Sequence, residues 1–214
     1  MKNSGGLHAA DSADFALTLM LGAWRGLIAA DRWVRENRWV REGFPPPGRT
    51  LGNARVGIAG LGHIGEAIAR RAETFCPEVR WWGPRPKPDA RWPRVETLGE
   101  LAAWCDILIV AVRAHDDTRG LVTREIIEAL GPQGLLVNVS RGFVVDEDAL
   151  IAALKDGRLG QAALDVYQVE PTPAARWADV PNVVLAPHSA GNTSHSHVLL
   201  AVHAIEEAKR FFAA

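Results

Sequence analysis

The residues whose spacing most directly indicates chemistry are three glycines in the stretch 54–72. Gly60, Gly62 and Gly65 have G-x-G-x-x-G spacing, after a short apolar run and before an amphipathic helical pattern. In a strand–turn–helix unit these glycines make the tight turn, admit a pyrophosphate and let the helix pack on the strand. The helix N-terminus adds free N–H groups and a positive dipole end. The stretch therefore predicts a dinucleotide site that comprises Gly60, Gly62, His63, Ile64 and Gly65.

The segment after the second apolar run indicates which dinucleotide binds. An Asp or Glu about 20 residues past the glycines usually binds the ribose 2′-hydroxyl of NAD. Here Gly83 stands near that place, and Arg85 and Lys87 follow with no acid between Val79 and Asp89. Two cations can bind a 2′-phosphate, so NADP(H) is preferred over NAD(H). The alternative is that the two cations belong to a solvated basic loop.

The elements that must position these residues alternate between strand and helix. Strands are predicted at 56–59, 79–82, 107–110, 135–139, 162–165 and 183–185, and helices at 64–75, 98–104, 124–130, 147–155 and 194–212. Apolar strands that alternate with helices indicate an α/β fold with a doubly wound, Rossmann-type parallel sheet. The expected strand order is 3-2-1-4-5-6, with ligands at the carboxyl ends of the strands.

Composition narrows the class of protein. The 214 residues are 48% hydrophobic and 23% charged with a formal net charge of −1, an ordinary globular profile without the basic excess of a nucleic-acid partner. No apolar run approaches the ~20 residues of a membrane span. Cys76 and Cys105 are isolated, so we expect no metal site, a cytoplasmic location, and two reduced cysteines in the core.

Three segments are expected: an N-terminal helix and arm at 1–48, a dinucleotide-binding domain at 49–191, and a C-terminal helix at 192–214 that packs on it. The first helix is predicted from 11 to 30, capped by Asp11 or Ser12 and apolar on almost every side. The following RWVRE tandem is interpreted as an extended arm in which Trp33 and Trp39 serve as anchors.

Three further motifs follow GLGHIG in order: LLVNVSRGFVVDEDALIAAL at 135–154, GQAALDVYQVEP at 160–171 and NVVLAPHSAG at 182–191. Together they resemble the cofactor domain of the D-isomer-specific 2-hydroxyacid dehydrogenases, from residue 11 to the end. The GPRPK loop is more similar to that of NADPH-preferring glyoxylate/hydroxypyruvate reductases than to that of NAD-preferring members. The resemblance implies hydride transfer between a nicotinamide and a small 2-oxo or 2-hydroxy acid.

By this resemblance, Arg141 matches the family's catalytic arginine, Glu170 its acid, and His188 its acid/base histidine. Protonated His188 can deliver a proton to the oxygen on which negative charge develops. Glu170 would favour the imidazolium and hold the ring, and Arg141 can bind the substrate carboxylate and polarise the carbonyl. Further cofactor contacts are implied for Val112, Arg113, Thr118, Val139, Ser140, Arg141, Asp165, His188 and Gly191.

The chain departs from the family in two ways. The family usually has Leu-Pro-Leu-Thr after the third strand, whereas residues 112–115 read VRAH, with Arg113 in place of proline. The family's separate substrate lobe has no counterpart in this sequence. The chain therefore resembles one lobe of a two-lobe enzyme: a truncation, an excised domain or a natural short form. The alternatives to a reductase are a non-catalytic dinucleotide-binding or sensing module that dimerises, and a degenerate fragment.

The N-terminal helix also predicts assembly. Its apolar groups are Phe15, Leu17, Leu19, Met20, Leu21, Trp24, Leu27 and Ile28. One sheet face covers only part of such a surface, and monomers rarely expose large apolar patches. In the resembled family this helix and arm embrace the neighbouring cofactor domain. We therefore expect a homodimer through residues 11–48; the alternative is a monomer whose helix faced the missing lobe.

Overall fold

The computed structural model describes residues 8–212. The first seven residues of the segment 1–48 and the last two of the segment 192–214 lie outside the described residues. Six strands form one sheet: β1 Arg55–Ala59, β2 Glu78–Trp82, β3 Ile107–Val110, β4 Leu135–Asn138, β5 Gln161–Leu164 and β6 Val183–Leu185. All neighbouring strands are parallel, so their carboxyl ends share one edge, where ligands bind in such sheets.

The strand order confirms the predicted fold. The six strands lie in the order β2-β1-β3-β4-β5-β6. Beyond β2, Trp81 forms a single parallel bridge with Arg94, through hydrogen bonds of Trp81 with Pro93 and Val95. When this bridge is counted as the third strand of the first half, the arrangement is 3-2-1-4-5-6 with one further strand at the far edge.

Helices cover both faces of the sheet. Their bounds are α1 Ala9–Trp24, α2 Leu27–Arg35, α3 Arg38–Glu42, α4 His63–Ala72, α5 Leu98–Trp104, α6 Arg124–Leu130, α7 Glu147–Lys155 and α8 Ser194–Phe212. The core accordingly has two parts, one with α1 and α4 and the other with α5, α6 and α7. Cys76 and Cys105 are free and buried as predicted, and burial raises their pKa values to about 11 and about 12.

The prediction of one helix from 11 to 30 was wrong in its length and in its cap. Gly26 has φ +66°, which favours glycine, and the chain bends there between α1 and α2. The N-cap residue of α1 is His8, and the Asp11 side chain instead accepts hydrogen bonds from the hydroxyls of Thr193 and Ser196. Both hydrogen bonds lower the pKa of Asp11, and the bond from Ser196 has the larger effect. The two bonds also tie α1 to the start of α8.

The prediction of an extended arm was also wrong, because residues 27–42 form α2 and α3. The ion pairs Asp31–Arg35 and Arg38–Glu42 stand at i,i+4 spacing, which supports helices. The Trp33 indole donates to the carbonyl of Gly43 and stacks against Arg38. Both of these contacts lie within the segment 27–43 itself. Trp39 is half exposed.

The apolar side chains of α1 are covered mainly by the chain's own sheet and α4. Leu17, Leu19, Met20 and Trp24 are buried, which corrects the expectation that α1 exposes apolar groups on every side. Within residues 8–48, the large exposed apolar groups lie on α2, on α3 and at Phe44 after them. They are Leu27, Ile28, Val34, Trp39, Val40 and Phe44.

The first turn of the C-terminal helix, whose packing on the domain was predicted, is bonded to α1 through the hydroxyl of Ser196. Ser196 is buried there, whereas Val198, Leu200, Val202 and Ile205 of α8 are exposed. Within residues 8–212, no single helix is long and apolar enough to cross a membrane. Only α1 and α2 taken together reach that length and composition, and they are bent by 59°.

Two glycines within helices provide a matched test of the packing. Among the described residues, a Cβ on Gly65 would lie 1.9 Å from the carbonyl oxygen of Gly60, whereas nothing lies within 4 Å of a Cβ on Gly22. We expect Gly65→Ala to lower the free energy of unfolding by about 1–3 kcal/mol through overpacking. Gly22→Ala should raise it by roughly 0.5–1 kcal/mol. Urea denaturation measures both, and equal effects would contradict the close contact.

Candidate active site and cofactor site

The glycine turn at the end of β1 fits a dinucleotide. Gly60 has φ +96° and packs against the backbone of Val112, so the turn lies directly beside the end of β3. Gly62 is the N-cap residue of α4, and in the described chain no side chain caps this helix or approaches within 4 Å of a Cβ at Gly62. The first N–H groups of α4, which include those of His63 and Ile64, are therefore available to an anion.

A cavity of about 520 Å³ extends from this turn along the carboxyl edge of β1, β2 and β3. The cavity is lined by the predicted residues Gly60, Gly62, Arg85, Lys87, Val112, Arg113 and Thr118. It is also lined by residues that were not predicted: Trp82, Pro84, His115, Asp117 and Leu121. The Lys87 ammonium donates to the carbonyl of Leu61 within the glycine turn, while Arg85 is exposed. Both cations of the GPRPK loop thus line the cavity that begins at the glycine turn.

At the other end of the same edge, His188 and Glu170 are in contact. His188 Nδ1 lies 2.6 Å from Glu170 Oε2, and Tyr167 N–H donates to Glu170 Oε1 at 3.0 Å. Burial raises the pKa of Glu170, but the hydrogen bonds from His188 and Tyr167, with the nearby charges of His188 and Arg141, hold it below its usual range. At neutral pH Glu170 is therefore ionised, so the hydrogen of this contact lies on Nδ1 of His188, and Nε2 takes no part in it.

His188 adopts a backbone conformation that is uncommon for a residue with a side chain. Its φ is +54°, and its side chain is 41% exposed, so the ring is accessible. The adjoining N–H groups of Ser189 and Ala190 both donate to Asp165, at 2.6 and 2.8 Å. Burial raises the pKa of Asp165 although these two hydrogen bonds lower it. The observed contacts of Asp165 are thus with the loop that carries His188, and its contact with cofactor stays a prediction.

The turn after β4 presents Arg141. Asn138, which sequence reasoning missed, is 1% exposed; its amide accepts from Ser140 N–H and donates to the carbonyl of Arg141. The Ser140 hydroxyl donates to Val112 O at 2.7 Å and so joins the loops after β3 and β4. The Arg141 side chain is exposed. Asn138 could have been recognised only as a polar residue at the end of an apolar strand.

The remaining predicted residues occupy the same edge with other observed contacts. Thr118 caps a one-turn 3-10 helix through His115 N–H and His115 O. Val139 is buried, and Gly191 lies beside His8. Between residues 8 and 212, no group of three or more His, Cys, Asp or Glu could hold a metal ion.

Comparison with known proteins places this geometry in a family. Residues 17–190 match the model of the D-isomer specific 2-hydroxyacid dehydrogenase, NAD binding domain. A 2-ketogluconate reductase from Gluconobacter oxydans is 38% identical over 202 residues, which are 94% of this chain and 65% of that protein.

Two solved structures are similar in fold. The 2-hydroxyacid dehydrogenase from Ketogulonicigenium vulgare has a TM-score of 0.92 and 41% identity, over 99% of this chain and 67% of that one. An NADPH-dependent glyoxylate/hydroxypyruvate reductase from Sinorhizobium meliloti, in complex with NADP and malonate, has a TM-score of 0.85 and 38% identity, over 91% and 61%. This chain belongs to the D-isomer-specific 2-hydroxyacid dehydrogenases and contains their NAD-binding domain.

The contact between Glu170 and His188 predicts that stability depends on pH. The pKa of Glu170 is lowered in the folded chain, so its stabilising effect is present above the unfolded pKa and is lost as pH falls through the folded pKa. His188→Ala removes a hydrogen bond and a charge, so we expect the pKa of Glu170 to rise. Carboxyl ¹³C NMR measures it, with the exposed His197→Ala as the control. An unchanged Glu170 titration in the His188 variant would contradict the observed pairing.

Proposed function

We propose that this chain is the cofactor-binding part of an NADP(H)-dependent reductase that interconverts small 2-oxo and 2-hydroxy acids of the glyoxylate/hydroxypyruvate class. The observation that carries the proposal is the contact of His188 with Glu170, beside Arg141 and on the same sheet edge as the glycine turn. The chain spans 65% of the length of the 2-ketogluconate reductase, so it corresponds in extent to the cofactor lobe of such enzymes.

The roles of the three side chains follow from their charges. The bound nicotinamide supplies or accepts the hydride. Arg141 binds the carboxylate of the 2-oxo acid and polarises the adjacent carbonyl. His188, with Nδ1 held by Glu170, carries a proton on Nε2 and delivers it to the carbonyl oxygen as negative charge develops there. In the opposite direction, neutral Nε2 accepts the hydroxyl proton, and ionised Glu170 stabilises the resulting imidazolium.

The preference for NADP(H) rests on the segment after β2. A Cβ on Gly83 would lie 3.1 Å from the Trp81 ring, so little room remains for the carboxylate that would bind a 2′-hydroxyl. Arg85 and Lys87 lie in the cavity instead. The Sinorhizobium meliloti relative is named as NADPH-dependent, which supports the same choice. We also infer a cytoplasmic location, to which two free buried cysteines are suited.

The catalytic assignment predicts a separation between turnover and cofactor binding. His188→Ala and Arg141→Ala should abolish reduction of glyoxylate and hydroxypyruvate, because both side chains act on the substrate. NADPH affinity should stay within a few-fold, since the glycine turn holds the pyrophosphate. NADPH oxidation measures turnover and calorimetry measures binding, with His197→Ala as the control. Full activity in either variant would refute the assignment, whereas an inactive but NADPH-binding parent chain would favour the non-catalytic binding module.

The cofactor proposal predicts a selective effect of Arg85. Loss of one cation at a 2′-phosphate is worth ~1–3 kcal/mol, or roughly 5–150-fold in affinity. Arg85→Ala should weaken NADPH binding by that factor and leave NADH binding nearly unchanged. Calorimetry with both dinucleotides is the measurement, and Arg124→Ala, at the exposed start of α6 and away from the cavity, is the control. Equal or tighter NADH binding by the parent chain would overturn the preference.

We further infer a homodimer through residues 11–48, with α2 and α3 at its centre. The exposed apolar side chains of this region support an interface that buries well above ~2,000 Å² in total. Trp39 and Phe44 lie 5.9 Å apart between ring centroids and would serve as its aromatic anchors.

Two exposed valines test this interface. Val34 on α2 is 56% exposed, and Val198 on α8 is 61% exposed. Because a buried unpaired charge is costly, Val34→Asp should convert the dimer to a monomer, whereas Val198→Asp should not. Light scattering gives the mass of each variant. A monodisperse monomer of the parent chain at micromolar concentration would contradict the dimer.

A further inference from the structure

We propose that Glu147 is a positioning residue for Glu170: it fixes the peptide group between Tyr167 and Gln168 and thereby holds Glu170 against His188. The effect on turnover rests on the proposed function, whereas the effect on the Glu170–His188 contact does not. Glu147 was not among the residues that the motifs single out for chemistry.

Glu147 is a buried carboxylate with a partner for each oxygen. It is the first residue of α7, and its side chain is only 6% exposed. Gln168 N–H donates to Oε2 at 2.8 Å, and the Arg176 guanidinium donates to Oε1. A buried charge is costly unless it is paired and hydrogen-bonded, and the N-terminus of α7 adds a favourable dipole. The carboxylate is therefore well matched to this place.

The peptide group that Glu147 binds adjoins the peptide group whose N–H donates to Glu170. Tyr167 N–H donates to Glu170 Oε1 at 3.0 Å, and the next N–H along the chain, that of Gln168, donates to Glu147. Because the two amides are adjacent, a rotation of the backbone at Tyr167 would change both bonds. Holding the second amide therefore restrains the first, and with it the Glu170 carboxylate.

The same peptide group is packed on the backbone beside Arg141. A Cβ on Gly142 would lie 1.8 Å from the carbonyl carbon of Tyr167 and 2.3 Å from Gln168 N. Gly142 thus supports the peptide group by close contact, and Glu147 anchors its N–H. The loops that carry Arg141 and Glu170 meet at this contact, so a change in the anchor alters the distance between the two proposed catalytic groups.

Arg176 completes the anchor from the far end of the loop. Its guanidinium contacts Glu147 and, at 2.6 Å, also Asp148. Asp148 is 82% exposed and contacts this loop through the ion pair with Arg176. Asp148→Asn is therefore a matched control, because it removes one exposed bond of the same arginine and leaves Glu147 with both of its partners.

The test uses Glu147→Gln, which keeps the volume of the side chain. Its amide NH₂ cannot accept a hydrogen bond, so either Gln168 N–H or the Arg176 guanidinium loses its acceptor. In the full chain we expect the downfield proton resonance of the His188–Glu170 hydrogen bond to broaden or disappear, and the carboxyl ¹³C titration of Glu170 to move to higher pH. We expect kcat for glyoxylate to fall by about tenfold to hundredfold, as for a misplaced catalytic group, with the KM for NADPH within twofold. Asp148→Asn should leave all of these quantities unchanged.

Glu147→Asp provides a second variant, because it retains the charge on a shorter side chain if the glutamine variant does not fold. It should shift both NMR signals in the same direction. A folded Glu147 variant with the parent resonance and the parent Glu170 titration would overturn the proposal. A parent chain without turnover would contradict the proposed function alone, since both NMR measurements decide the role of Glu147 without it.

Discussion

The close contact of one peptide group with one glycine determines how the candidate site is assembled. The peptide group between Tyr167 and Gln168 lies so near Gly142 that no side chain can stand at residue 142. The loops after β4 and β5 are therefore joined through their backbones. This backbone contact sets the relative positions of Arg141 and Glu170. His188 is positioned in turn through its contact with Glu170.

Buried polar side chains hold the other loops at the same edge in a similar way. The Ser140 hydroxyl binds the carbonyl of Val112, and the Asp165 carboxylate binds two N–H groups after His188. The first bond joins the loops after β3 and β4, and the other two join the loops after β5 and β6. Since a buried polar group without a partner is costly, such bonds also discourage alternative loop arrangements. His188, whose backbone is left-handed, directly precedes the two residues whose N–H groups donate to Asp165.

The sequence predicts the sheet and most helices because their signals are local. The helices α5, α6 and α7 have the predicted bounds, since each is a short apolar-periodic segment between turn residues. The break at Gly26 and the helical arm were missed, although the i,i+4 pairs Asp31–Arg35 and Arg38–Glu42 were readable there.

Other features of the site depend on residues that are distant in sequence. Glu147 occupies an ordinary place for an acid at a helix start, and only its contact with Arg176, 29 residues later, reveals that it is buried. Likewise, the cofactor motif around Asp165 gives no sign that its carboxylate binds the backbone at Ser189 and Ala190. Local patterns therefore locate the loops of the site, but not the bonds that hold these loops together.

The position of α1 has a consequence for biosynthesis. This helix is translated before the strands β4, β5 and β6 across which it packs, and Asp11 bonds with Ser196, 185 residues later. The part of the apolar face of α1 that packs on these strands must stay uncovered until they have been translated. Because non-local contacts form slowly and exposed apolar surface favours aggregation, the nascent chain is most vulnerable before β5 emerges. Chaperone contact during translation would thus fall on the helix that later closes the core.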